Sequence, residues 1–436
     1  MTLLNHQSIF TAMLQDGPFG VKESVPLARL YSMESKNWTR SLGGDPLLKT
    51  KFRAVRHQIF DLLNINSFSE IPLLLGNRKN ILATSQRALP MLANLYGINS
   101  DPSEIKRHLL DYANTADEVI NSLRYKVLSP YSSYIEMTNE IRTTADPVEL
   151  LLILFNDRFH QKARFEAKRK LVLMNLAGSI EQRERETDII AKFSNFIDFL
   201  NEYVWSPSLK IGDLKISYLH STHAPSDFSC SSVQVISEKQ AKKLVVQQGE
   251  KLTLIKRRSF SDNGRQIPIY VTIRKKPSAA KVLKLLRKNQ KNPATAVDDE
   301  LGLMAVLNST GDVKKFLRHL SKSAVRANSL MTLEDISDTL TGSTYVSSTI
   351  GSSSKTPMLK FFARIGGMRA EFILHTNRSY LNYMYQREVA HDEYEVKRIF
   401  NSGVTEFLFP TDIYHLDMEE IQQKQIRFFR QRNEET

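Results

Sequence analysis

The sequence predicts an α+β protein in two parts: a mostly helical N-terminal domain, then a small mixed β-sheet domain flanked by helices. Helix-start signals and a 3.6-residue apolar period dominate the first 205 residues. Beyond about residue 246, strand-like runs alternate with amphipathic helical runs. The length of 436 residues also calls for more than one core, since single cores rarely grow past about 250–300 residues. The expected division is a helical domain over 1–205, a linker with short strands over 206–245, and a sheet domain over 246–436.

Two helix starts share one signal, Asp101-Pro102-Ser103-Glu104 and Asp146-Pro147-Val148-Glu149. In each, Asp can cap free backbone N–H groups, Pro suits the first helical position, and Glu sits in the first turn. The second leads into Leu150, Leu151, Ile153 and Leu154, dense enough for a buried helix. From Glu181 to Tyr203, apolar residues recur at Ile189, Ile190, Phe193, Phe196, Ile197 and Leu200, which predicts one amphipathic helix ending before Ser206-Pro207. The Ser, Pro and Gly content over residues 206–237 predicts an inter-domain segment with one hairpin. KLTLIKRRSF and IPIYVTIRK then read as two strands joined at Asp262-Asn263-Gly264, a strong turn signal. A helix over Ala279–Lys288, a buried strand LGLMAVL over Leu301–Leu307 and a helix capped by Asp312 follow. Past a Ser/Thr/Gly-rich stretch, Met358–Ile365 and Arg369–His375 form a strand pair around Gly366-Gly367, and a helix is expected over about Arg378–Asn401.

Cys230 is the only cysteine, so an internal disulfide and a cysteine-based zinc site are excluded. The N-terminus shows no basic segment followed by an apolar core, and no apolar run is long enough to cross a bilayer, so a cytoplasmic protein with no membrane partner is expected. His220 and His223 form an H-x-x-H without acidic or thiol neighbours in sequence, weak grounds for a metal site. The net charge is +13, and its distribution is uneven. Between Lys251 and Gln290 stand twelve basic residues against one acid, Asp262. Because this run is interleaved with strand and helix periodicity it belongs to a folded unit, and polyphosphate or nucleic acid becomes the expected partner class.

Several motifs fall in order within the C-terminal half. Arg274-Lys275-Lys276 closes a strand, and the helix after it carries Lys284, Arg287 and Lys288. Asp299-Glu300-Leu301-Gly302-Leu303 opens the next strand, Tyr345-Val346-Ser347 follows, and Ala370-Glu371-Phe372-Ile373-Leu374-His375-Thr376 is a later strand. Arg387 to Tyr394, with Ala390-His391, lies within the helix expected over Arg378–Asn401. This series resembles the synthetase motifs of the RelA/SpoT-type alarmone synthetases: R-x-K then K-x-x-R-K, D-x-x-G-I, Y-x-S, E-I-Q-I-R-T and a helix with A-A-H. The resemblance covers about residues 250–400 and implies a synthetase-like nucleotidyltransferase domain.

The resemblance further implies a Mg²⁺-dependent pyrophosphokinase that moves the β,γ-diphosphate of ATP to a ribose 3′-hydroxyl of a guanosine nucleotide or of tRNA. On that reading Arg274, Lys276 and Lys284 hold the ATP phosphates, with Arg287 and Lys288 extending the same face. Asp299 holds Mg²⁺, Glu371 activates the hydroxyl or binds metal, and Tyr345 stacks on the acceptor base. Lys256, Arg257, Arg258 and Arg265 are left as candidates for contacting RNA. The chain departs from the family at Met304, where Arg is usual, at Thr344 and Thr349, where Gly and His are usual, and at Ile373 and His375, where Gln and Arg are usual. These departures fall mainly in acceptor and phosphate contacts. The rival expectation is a non-catalytic RNA-binding or interaction protein that keeps the same sheet. The N-terminal half has no His-Asp pair, so no hydrolase domain is expected there, and its helices are expected to regulate, to oligomerise or to bind a protein partner.

Overall fold

The computed structural model describes residues 44–133, 135–206, 214–289, 292–297, 301–341 and 356–435. Counting helices of eight residues or more, α1 spans Pro46–Leu63, α2 Arg78–Leu95, α3 Pro102–Ser122, α4 Pro147–Leu154 and α5 Gln161–Thr187. They are followed by α6 Ile189–Phe199, α7 Ser278–Arg287, α8 Thr310–Arg326, α9 Asn377–Tyr385, α10 His391–Asn401 and α11 Met418–Glu434. The strands are β1 Lys215–His223, β2 Cys230–Ser237, β3 Glu250–Asp262, β4 Arg265–Lys275, β5 Leu301–Leu307, β6 Met331–Asp338, β7 Leu359–Ile365 and β8 Met368–Thr376.

The chain folds as two compact units. A helical unit takes the described residues within Met1–Glu186, Ser278–Pro293 and Gly403–Met418; a sheet unit takes those within Thr187–Pro277, Ala294–Ser402 and Glu419–Thr436. These limits do not follow the expected 205/206 and 245/246 boundaries. The segment expected to link two domains supplies β1 and β2 to the sheet, and α7 packs in the helical unit.

In the helical unit both capping expectations hold. The Asp101 carboxylate accepts from the N–H groups of Ser103 and Glu104, and Asp146 accepts from that of Val148. The middle of α5 is buried all round, charged residues included, so those need partners. Lys170 meets Asp117 of α3 at 2.9 Å. Glu166 accepts from the backbone and hydroxyl of Thr138 and, at 2.9 Å, from the hydroxyl of Tyr414. Arg169 donates to the Leu408 carbonyl at 2.7 Å and lies over the rings of Phe165, Phe409 and Tyr414. On α7, Val282 and Leu285 face inward with Lys281, which is ion-paired with Glu184 of α5.

The sheet unit holds eight strands in the order β2-β1-β3-β4-β5-β8-β7-β6, antiparallel except for the parallel pair β5/β8. Side chains alternate between the faces. One face, with Leu303, Ala305, Phe361, Phe372 and Leu374, packs on Phe196 and Phe199 of α6 and on Val313, Phe316 and Leu320 of α8. On the other, Tyr270 and Val306 pack on Tyr380 and Leu381 of α9.

The structure revises several expected elements. The single helix over Glu181–Tyr203 is broken at Asp188, which adopts φ +47°, and Ile190 is exposed although it fits the period. The cap of α8 is Ser309, whose hydroxyl accepts from the Asp312 N–H. The helix expected over Arg378–Asn401 is two helices, α9 and α10, separated by Gln386–Ala390 with Glu388 at φ +62°. Strand β6 was not expected; it is an edge strand with a bulge between Glu334 and Ser337.

Candidate phosphate-binding site

Three of the motif residues fall in one transverse row of the sheet. Arg274 of β4 stands opposite Gly302 of β5, which stands opposite Glu371 of β8. Gly302 makes the row close up. A Cβ added there would lie 3.0 Å from Arg274 Nε and 3.3 Å from its Cγ, so the missing side chain is the space the arginine crosses to reach β8. Arg274 Nη2 donates to Glu371 Oε2 at 2.7 Å. The other carboxylate oxygen, Oε1, is met by Lys360 Nζ of β7 at 2.8 Å. Phe362 is the residue opposite Glu371 on β7, and Lys360 is two positions away on the same face.

The side chain of Glu371 is only 6% exposed. Burial pushes its carboxyl upward, but Lys360, Lys276 and Arg274 together outweigh this and bring it down to about 2. The cluster is therefore one ionised, buried carboxylate acted on by three cations. Two rings border it. Tyr383 of α9 and His391 of α10 stack with centroids 5.0 Å apart. Burial drives the Tyr383 hydroxyl up to about 12, with Arg274 opposing. Burial also lowers His391, while Glu395 and Asp392 raise it and Arg274 adds to the lowering.

Arg274, Lys276 and Glu371 are thus brought together as expected from sequence. Lys360 and Tyr383 were missed. Nothing local marks Lys360, a lone lysine in LKFFARI, because its role comes from cross-strand register. Lys284 and Arg287 lie on α7 and Lys288 just after it, in the helical unit, so the expected strand-and-helix phosphate face is divided between units. Asp299 and Tyr345 lie outside the described residues.

The proposed RNA-contacting set needs correction. Lys256 and Arg265 are exposed, but Arg257 and Arg258 are buried. At this point β3 is covered on both faces, so neighbouring residues are enclosed in turn. Arg257 donates to Asn308 Oδ1 at 2.7 Å, and Arg258 lies 5.4 Å from the ring centre of Trp205. Neither is presented to an RNA.

Among the described residues, no group of three or more His, Cys, Asp or Glu could hold a metal ion. His220 meets Glu250 at 3.3 Å. Glu371 itself does not fit Mg²⁺ in this arrangement, since both of its oxygens are taken by cations rather than left open beside further oxygen donors. Among the described residues no helix is long and apolar enough to cross a membrane. Comparisons with models of protein families, with curated proteins and with solved structures gave no match.

Proposed function

We propose that the sheet unit is a nucleotide-polyphosphate site of the RelA/SpoT synthetase-like kind, transferring diphosphate from ATP to the ribose 3′-hydroxyl of a guanosine nucleotide or of tRNA. The observation that carries this reading is the row Arg274–Gly302–Glu371, which sets the Arg274 guanidinium, a group suited to phosphate, directly beside a carboxylate. Arg274 and Lys276 would hold the donor phosphates and take up the charge that develops on them. The acceptor hydroxyl oxygen attacks the β-phosphorus, the bond from that phosphorus to the α,β-bridging oxygen breaks, AMP departs, and the hydroxyl proton passes to Glu371. The Mg²⁺ that the family resemblance implies enters no step here. The free, buried Cys230 suits a reducing, cytoplasmic setting. For the helical unit the proposal is a regulatory or partner-binding role.

One observation favours a second reading, a phosphate-binding module without catalysis. A carboxyl held at about 2 by cations is a weak proton acceptor. The test incubates the full chain with γ-labelled ATP, Mg²⁺ and either GDP/GTP or bulk tRNA, alongside Glu371→Gln. The transferase reading expects label on the acceptor and a fall of about 100-fold or more in the variant. ATP binding without label supports the binding module, and absence of both binding and label sinks both readings.

A further inference from the structure

The two cations on Glu371 are not equivalent. Lys360 holds Oε1 from the neighbouring strand with its side chain 13% exposed, whereas the Arg274 side chain is 50% exposed on Oε2. We infer that Lys360 is the fixed positioning residue of Glu371 and that Arg274 is an exchangeable one, leaving the carboxylate for an incoming polyphosphate. The inference rests on the proposed function and adds to it an order of events: donor binding is what uncovers Glu371.

The physical argument begins with the cost of stranding a charge. A carboxylate as buried as Glu371 cannot lose all its cationic partners without a large penalty. Lys360 removes that obstacle, because it stays in place while Arg274 departs. Two cations on one carboxylate also leave surplus positive charge, which a phosphate group would neutralise. A guanidinium can bind phosphate through paired N–H donors as well as it binds carboxylate, so the swap replaces one strong interaction with another. Gly302 leaves the path of the arginine side chain open across β5. With Arg274 withdrawn, Oε2 is left open to the acceptor hydroxyl. In the free protein, Glu371 and an incoming phosphate therefore compete for the same guanidinium.

A double-mutant cycle on the full chain tests this, with inorganic tripolyphosphate as the probe in metal-free buffer and affinity read by calorimetry. Exchange predicts that Glu371→Gln tightens tripolyphosphate binding about 10-fold and that this gain disappears in an Arg274→Gln background. An equal gain in both backgrounds would mean simple removal of a repelling charge and overturns the exchange while leaving the phosphate site intact. Failure of every form to bind tripolyphosphate overturns the exchange together with the reading beneath it. A crystal structure of the unmutated chain with tripolyphosphate keeps the test independent of how the variants fold. The expected result is Arg274 on phosphate with Lys360 still on Glu371; Arg274 remaining on Glu371 contradicts the inference.

Discussion

Glu371 ties the chemistry of the site to the stability of the sheet unit. Its folded pKa of about 2 lies below the ordinary value of 4.5, so its ion pairs stabilise the fold fully above about pH 4.5. That stabilisation is lost as pH falls through the folded value. Glu393, clasped by Arg430 at 2.7 Å and by Lys397 at 2.7 Å, is likewise brought to about 2 and acts in the same direction. His375 acts earlier in an acid titration: burial lowers it from 6.5 to about 4, so protonation favours unfolding from about pH 6.5 downward. Glu371→Gln should therefore lower stability at pH 7 by on the order of 3 kcal/mol, with the gap to the unsubstituted chain narrowing toward pH 3. Urea denaturation at the two pH values measures this, and a gap that stays constant with pH would count against it. Arg274, Lys276 and Glu371 were legible in the sequence because motif order and strand ends mark them. Lys360 was not, since register across strands is a long-range property. Nor was the burial of Arg257 and Arg258, because a basic run reads as surface until both faces of its strand are known to be covered.

The elements best read from sequence are those specified by local chemistry. The β3–β4 hairpin was legible because Asn263 and Gly264 accept the left-handed backbone of a tight turn, and they adopt φ +49° and +79°. Gly264→Ala meets no steric contact there, so only backbone strain remains, and it should cost about 1–2 kcal/mol by thermal denaturation. The helical starts at Asp101 and Asp146 were legible for the same local reason. The break at Asp188 was hidden, because the apolar period runs on across it. Strand β6 was hidden as well: it is largely half-exposed, and Asp335 at φ +49° interrupts its alternation. At Gly302 the group that approaches closely is the Arg274 side chain. Gly302→Val should displace that side chain and weaken ATP binding about 10-fold, even where circular dichroism shows the sheet intact. Unchanged affinity would show that Arg274 does not need the gap.

The division into two units was only partly visible in the sequence, since the helical unit recruits α7 and residues 403–418 from the C-terminal half. Lys281 shows why α7 belongs there: it is 1% exposed and its charge is matched by Glu184. Lys281→Ala should destabilise the helical unit by about 1–3 kcal/mol, because a buried side chain and its ion pair with Glu184 are removed, and a lowered melting temperature would show it. The +13 charge that first pointed to polyphosphate or nucleic acid includes cations that hold the fold, such as Lys281, and, on the proposed reading, others that serve a site. The most direct test of that assignment is ATP affinity measured by calorimetry on the full chain, on Arg274→Gln and on Arg265→Gln. Arg265 is equally charged and exposed, but it lies at the hairpin end of β4, away from the Arg274–Gly302–Glu371 row. The prediction is measurable ATP binding that weakens at least about 10-fold in Arg274→Gln and is unchanged in Arg265→Gln. Equal weakening in both variants, or ATP binding indifferent to Arg274, would contradict a phosphate site at this row.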